Sequence, residues 1–113
     1  MQSTSLDRRT SPRFDVSCFG ELAWGDTLVE VEIVDMSITG CGIKVADASA
    51  VGQGSYGVLN IHTGQPQLGV VLPVAIINQS VDQGGLRCGL EYKRLSRRQM
   101  RSLIALLNEV LPD

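Results

Sequence analysis

The sequence predicts an all-β domain, a six-stranded antiparallel β-barrel followed by one C-terminal α-helix. Short runs of β-branched and aromatic residues are separated by turn signals roughly every ten residues, a spacing typical of small barrels. Within the runs, apolar and polar residues alternate with a period of two, as at Val29, Val31 and Ile33. Only the last segment changes to the three- and four-residue spacing of an amphipathic helix.

Turn signals define the predicted strands. Gly25-Asp26 marks a hairpin between the first two strands, and Ser37 to Gly40 turns the chain between the second and third. Small residues and glycines predict a loop over 47–55. The predicted strands are 14–24, 27–36, 41–46, 56–62, 68–79 and 86–92.

A helix is predicted over 96–111. Ser96 and Gln99 have the spacing of a capping box. The apolar residues of the helix recur at three- and four-residue steps: Met100, Leu103, Ile104, Leu107 and Leu111. We expect this helix to cap one end of the barrel or to lie across the sheet.

The chain of 113 residues is predicted to form one domain. Residues 1–13 are predicted to be a flexible arm, and residues 14–113 the barrel with its helix. The net charge is -2, which does not favour a polyanion partner. The three cysteines are odd in number and widely spaced, and we see no export signal or membrane segment, so we expect a cytoplasmic protein.

Three arginines lie near the start of the chain, at Arg8, Arg9 and Arg13. A guanidinium makes paired, charge-assisted hydrogen bonds to phosphate oxygens, and equally to O6 and N7 of guanine. Arginines on a flexible arm therefore suit an anionic nucleotide that the arm can wrap. Taken alone, such a cluster is more often a solvated tail.

A second polar motif, Asp35-x-Ser37-x-x-Gly40, follows the second predicted strand. Asp35 can accept from the donor edge of a guanine, and Ser37 adds a short donor or acceptor. Gly40 permits a positive φ and a close approach of the backbone. Taken alone, this motif is an ordinary turn between strands. Together the two motifs match both edges of guanine plus a phosphodiester.

Arg9-x-x-x-Arg13 followed by Asp35-x-Ser37-x-x-Gly40 resembles the signature of the PilZ domain, the bacterial receptor module for cyclic di-GMP. The resemblance covers nearly the whole chain. It implies that Arg9 and Arg13 grip phosphate and guanine from the arm. It also implies that Asp35 and Ser37 contact a guanine from the barrel surface, while Gly40 shapes the turn.

Two further positions bear on the resemblance. In the PilZ family, the residue directly before the first motif arginine influences whether one ligand or a stacked pair is bound. Arg8 is a long cation at that position, so the resemblance implies a stacked pair of cyclic di-GMP. Thr39 stands where many members have a second glycine, which is a mild departure.

Two other functions fit the same residues. A basic-armed barrel that binds nucleic acid would show a steep salt dependence and no need for Asp35. A barrel can also keep both motifs and act as a protein-interaction module that has lost ligand binding. We favour a cyclic di-GMP receptor that signals to an unknown effector protein, and we expect no nucleic acid partner.

No catalytic, cofactor or metal site is predicted, because no pair of nucleophile and base can be picked out. His62 is the only histidine and is predicted to be structural. Cys18, Cys41 and Cys88 lack the short spacing of zinc ligands. The basic segment 93–101 is predicted to be a solvated helix face, with docking of an acidic partner or extra phosphate contacts as the alternative.

Overall fold

The computed structural model describes residues 12–46, 55–62, 69–83 and 85–110. Its strands are β1 (Phe14–Trp24), β2 (Thr27–Met36), β3 (Gly40–Val45), β4 (Tyr56–His62), β5 (Val70–Asp82) and β6 (Gly85–Tyr92). They form a closed antiparallel barrel in the order β1-β2-β3-β6-β5-β4, and β4 pairs with β1 to complete it. The predicted fold class is confirmed.

The limits of β1, β2 and β4 agree with the sequence prediction, whereas those of β3, β5 and β6 differ from it. The strand β3 begins at Gly40, one residue earlier than predicted. The strand β5 continues to Asp82 instead of ending at Gln79, because Ser80 and Val81 still pair with β6. The turn after β5 follows at Gln83, whose φ is 53°.

Alternation along the strands directs one set of side chains into the barrel. On β2, Val29, Val31 and Ile33 point inward, while Glu30 is exposed. Trp24 at the end of β1 is also buried, as expected for core or hairpin packing. Burying one such large apolar side chain contributes about 1.5–3 kcal/mol. The barrel interior is therefore a packed hydrophobic core, and polar ligands must bind on its outside.

The helix α1 (Arg97–Val110) closes one end of the barrel. The backbone N–H of Gln99 donates to the Ser96 hydroxyl at 3.0 Å, and the Ser96 N–H donates to Oε1 of Gln99 at 2.9 Å. This reciprocal pair is the predicted capping box. The helix packs on β5 and β1, while the outer face of β4 between them stays exposed at Tyr56. The helix therefore spans the opening, not the sheet face.

The buried face of α1 differs slightly from the predicted one. Leu103, Leu106 and Leu107 join the barrel core. Ile104 was predicted to lie on the apolar face, but it is 46% exposed because it sits at the edge of this stripe. Leu111 lies outside the described residues.

Candidate ligand-binding site

Asp35 lies on the outer surface of β2, where the strand pairing is irregular. The register between β2 and β3 shifts between Ile33 and Asp35, and Asp35 then faces Gly42 of β3. A bulge of this kind turns a side chain in a new direction. A Cβ atom on Gly42 would lie 2.8 Å from Oδ2 of Asp35, which is too close. The glycine therefore makes room for the carboxylate to lie flat on the barrel.

Both oxygens of the Asp35 carboxylate face an arginine. Nη1 of Arg13 donates to Oδ1 at 2.7 Å, and Nη2 of Arg87 on β6 lies 3.5 Å from Oδ2. The side chains of Arg13 and Asp35 are only 23% and 19% exposed, so water screens this pair less than an ordinary surface ion pair. Nε of Arg13 is buried and has no hydrogen-bond partner among the described residues.

The turn after β2 is held together by the Ser37 hydroxyl. This oxygen accepts from the backbone N–H groups of Thr39 at 3.1 Å and Gly40 at 3.2 Å. The Ser37 N–H in turn donates to the carbonyl of Gly40 at 2.9 Å. Ser37 is only 1% exposed. Its side chain therefore shapes the turn next to Asp35 from the inside.

Gly40 is required for close packing. A Cβ atom on this residue would collide with the backbone carbonyl of Leu90 on β6. The absence of a side chain thus allows β3 to approach β6 closely. The positive φ that a glycine permits is not used here, because among the described glycines only Gly25 has a positive φ. Gly40 instead pairs with Glu91 as the first residue of β3.

The arrangement at Asp35 recurs on the opposite side of the site. The register between β5 and β6 shifts between Ile76 and Asn78, and Asn78 faces Gly89 of β6. A Cβ atom on Gly89 would lie 2.7 Å from Nδ2 of Asn78. Since Gly42 pairs directly with Gly89, the two central strands present bare backbone between Asp35 and Asn78.

A pocket of about 230 Å³ occupies this part of the barrel surface. Its polar lining comes from Arg13, Asp35, Asn78, Ser80 and Arg87. Two guanidinium groups, one carboxylate, one amide and one hydroxyl therefore converge on one small volume. This set suits a ligand that is anionic at one point and carries hydrogen-bond donors at another.

Comparison with known proteins identifies the family. The sequence profile of the PilZ domain matches residues 7–109. The chain belongs to the PilZ domain family. A comparison with curated proteins gives no match.

Several solved structures share this fold. The PilZ domain with c-di-GMP of YcgR from Escherichia coli has a TM-score of 0.68 and 18% identity, over 90% of this chain and 92% of that one. The PilZ domain of CeSA from a cellulose synthesizing bacterium has a TM-score of 0.65 and 21% identity, over 88% and 97%. The Bacillus subtilis inhibitor of motility MotI/DgrA has a TM-score of 0.70 and 15% identity, over 90% and 50%. Identities this low establish the fold alone.

In this PilZ domain, one residue from each predicted motif meets in the pocket. Arg13 and Asp35 are in direct contact. Ser37 and Gly40 lie in the adjoining turn and do not line the pocket. Arg8 and Arg9 lie outside the described residues.

Sequence reasoning did not find the polar lining residues Asn78, Ser80 and Arg87, nor the glycines Gly42 and Gly89. The two glycines did carry a signal, since a glycine inside a strand often marks a bulge or a close approach of another group. Asn78 and Arg87 carried none, because polar residues on the outer face of a strand are common. Only the register of the closed barrel brings them beside Asp35.

Of the three cysteines of the PilZ domain, Cys88 lines the pocket, whereas Cys18 and Cys41 do not. Cys18, Cys41 and Cys88 are free and buried, and burial raises the pKa of each thiol. The pKa of Cys41 reaches about 12, because the Asp35 charge adds to the effect of burial. Burial also raises the pKa of Tyr92. The Cys41 thiol is near enough to perturb the Tyr92 hydroxyl, but the two lack hydrogen-bond geometry.

The predicted basic segment is exposed. Arg97 and Arg98 open α1, and its first turn contains no acidic residue. Lys93 donates to Glu91 at 2.7 Å, and this hydrogen bond raises the pKa of Lys93. His62 is also on the surface, 3.8 Å from the carboxylate of Glu21.

The described residues contain neither a candidate metal site nor a helix that could span a membrane. No group of three or more His, Cys, Asp or Glu side chains is arranged to hold a metal ion there. In the same part of the chain, no helix has both the length and the apolar character needed to span a membrane.

Proposed function

We propose that this PilZ domain is a non-enzymatic receptor for cyclic di-GMP and that the ligand occupies the pocket between β2 and β5. The observation that carries this proposal is the 2.7 Å contact between Arg13 and Asp35. These residues come from the two separate sequence motifs, and the fold brings them together at a polar pocket. The YcgR domain with the same fold is described with c-di-GMP, which supports the same ligand here.

Binding requires an exchange of partners at Asp35. In the free protein the carboxylate is paired with Arg13 and faces Arg87. The donor edge of a guanine, with its N1 and N2 hydrogens, replaces Arg13 as the partner of Asp35. Arg13 then turns to a phosphate or to the acceptor edge of a base, where its forked donors make paired hydrogen bonds. The charges stay compensated throughout, because Arg87 remains beside Asp35.

The arm 1–13 closes over the ligand in this proposal, and Arg8 and Arg9 add contacts to phosphate and guanine. Fixing the backbone costs about 1–2 kcal/mol per residue. A hydrogen bond to a charged group stabilises the complex by about 1.5–3 kcal/mol. Several arginine contacts are therefore needed to offset the ordering of the arm, which explains a cluster of three arginines.

Ser37 and Gly40 act through the turn in this proposal. The Ser37 hydroxyl is buried and already bonded to the turn backbone. Its contribution to binding is to hold the turn in the shape that presents Asp35. Gly40 contributes by allowing β3 to approach β6 closely.

We further propose that Arg8 supports binding of a stacked pair of ligands and that the closed arm presents a new surface to an effector protein. The pair is tested by the stoichiometry of binding. Two ligands per chain are expected for the wild type, and one for Arg8→Ala. A wild-type stoichiometry of one would contradict the stacked pair but not the receptor function.

Isothermal titration calorimetry tests the proposed function. Cyclic di-GMP, GTP and a DNA oligonucleotide are titrated separately into the chain. We expect saturable binding of cyclic di-GMP alone. Arg13→Ala is expected to weaken this binding at least tenfold, which is about 1.4 kcal/mol. Arg98→Ala is the matched control, because Arg98 is an exposed arginine that does not line the pocket.

Each alternative gives a different calorimetric result. Salt-sensitive binding of the oligonucleotide, unaffected by Asp35→Ala, would indicate a nucleic-acid-binding barrel. No heat with any of the three compounds would indicate an interaction module without ligand. Equal losses in Arg13→Ala and Arg98→Ala would show that general positive charge, not this pocket, attracts the ligand.

A further inference from the structure

The pocket has two walls that are built in the same way. On each side, a shift in strand register places a polar side chain over a glycine of the next strand, Asp35 over Gly42 and Asn78 over Gly89. Both glycines leave space that a Cβ atom would occupy. Sequence reasoning singled out the wall formed by Asp35 only. Asn78, the corresponding side chain on β5, was not predicted to contact a ligand.

The hydrogen bond at Asn78 determines which way its amide points. The backbone N–H of Gly89 donates to Oδ1 of Asn78 at 3.0 Å. An N–H group donates only to an acceptor, so the side-chain oxygen must face Gly89 and the NH₂ group must occupy the other position. Within the described residues no hydrogen bond from Nδ2 is formed. Two donors of Asn78 are thus available to a ligand in the pocket.

The two walls have opposite polarity. Asp35 presents acceptors, whereas Asn78 presents donors. They stand on β2 and β5, with β3 and β6 between them, so their backbones are at most about 14 Å apart by the usual strand spacing. Both side chains reach inward over the glycines and narrow this gap. A base that directs its donor edge toward Asp35 directs its acceptors away from it, toward Asn78.

We propose that Asn78 is a specificity-determining residue that donates to O6 of a guanine, alone or together with N7, while Asp35 accepts from the donor edge. This inference rests on the proposed function, since it assumes that a guanine nucleotide enters the pocket. Adenine carries an amine where guanine carries O6, so two donors at Asn78 reject adenine and favour guanine at this position.

Asn78→Asp is the variant that isolates this role. A carboxylate has the shape of the amide and keeps the oxygen that accepts from Gly89, but it loses both donors. The bulge therefore keeps its hydrogen bond. Gln79→Glu is the matched control, because it makes the same amide-to-carboxylate change on an exposed neighbour that does not line the pocket. This control corrects for the general repulsion between an added negative charge and an anionic ligand.

The experiment compares wild type, Asn78→Asp and Gln79→Glu by calorimetry with cyclic di-GMP, and by competition with cyclic di-AMP. We expect Asn78→Asp to weaken cyclic di-GMP binding at least tenfold and Gln79→Glu to weaken it less than threefold. We also expect Asn78→Asp to reduce the preference for cyclic di-GMP over cyclic di-AMP at least tenfold, because a carboxylate accepts from the adenine amine.

Thermal unfolding of each variant shows that it is folded. If Asn78→Asp does not fold, Asn78→Ser takes its place, with an expected loss of at least fivefold in cyclic di-GMP affinity. Wild-type binding together with unchanged affinity and preference in the Asn78 variant would overturn this inference and leave the proposed function standing. An equal loss in Gln79→Glu would also overturn it. A wild type that does not bind cyclic di-GMP would overturn both.

Discussion

Replacing Asp35 with asparagine is expected to separate two roles of this residue, ligand contact and restraint of Arg13. The amide has the shape of the carboxylate and keeps one acceptor, but it carries no charge. In the wild type, Oδ1 accepts from Arg13 at 2.7 Å, and Oδ2 lies 3.5 Å from Arg87. The variant therefore leaves two arginines beside a neutral group and changes the shape of the pocket very little.

The expected size of the effect follows from these contacts. A hydrogen bond to a charged group contributes about 1.5–3 kcal/mol, so losing the guanine contact to the carboxylate corresponds to a loss of affinity of at least about tenfold. Part of this loss is offset, because the free variant no longer has to break the ion pair with Arg13 before the ligand binds. We therefore expect Asp35→Asn to weaken cyclic di-GMP binding about tenfold, at the lower end of this range.

Calorimetry at fixed ionic strength measures this change, and thermal unfolding verifies that the variant is folded. A double-mutant cycle with Arg13→Ala then measures how far the two residues act together. If Asp35 served only to restrain Arg13, its loss would free this arginine for the ligand. Affinity in Asp35→Asn equal to or tighter than wild type would therefore refute the assigned contact with guanine.

Three further predictions concern the floor of the pocket, the buried thiol and the core. Gly42→Ala is expected to weaken cyclic di-GMP binding at least tenfold in calorimetry, because its Cβ atom would displace the Asp35 carboxylate that now lies 2.8 Å from that position; an unchanged affinity would contradict this. Burial raises the pKa of Cys41 from 9.0 to about 12, so the unfolded chain releases this proton first. The resulting stabilisation is complete below pH 9 and is lost as the pH rises toward 12. Urea unfolding at successive pH values should show this decline in the free energy of unfolding, and Cys41→Ala should make it shallower; identical slopes would contradict the assignment. Leu103→Ala is expected to cost about 2–5 kcal/mol in urea unfolding, because this fully buried side chain joins α1 to the core, and a cost below about 1 kcal/mol would contradict that packing.

Much of the fold was predictable because local patterns determine it. Period-two alternation on β2 and the Gly25-Asp26 hairpin both agree with the structure. The extension of β5 was not predictable, because its last residues are mostly polar and pair only through the long hairpin with β6. The exposure of Ile104 was not predicted either. The spacing of apolar residues along a helix does not define how wide its buried face is.

The site was predictable in part. Asp35 and Arg13 belong to a recognisable pair of motifs, and the structure brings them into contact. Asn78 and Arg87 were not predictable, because they come from strands that are distant in the sequence and meet Asp35 only through the strand order. The role of the Ser37 hydroxyl was also not predictable from the sequence. Its motif suggests a ligand contact, but only coordinates show that the turn already uses it.

Titration of the ¹⁵N-labelled chain with cyclic di-GMP, followed through its backbone amide resonances, shows directly where the ligand binds. We expect saturable changes at the amides of Asp35, Gly42 and Gly89, which surround the pocket. The amides of β4 on the other side of the barrel, such as Val58 and Asn60, should change little. Changes confined to β4, or none at the three pocket amides, would contradict the proposed site.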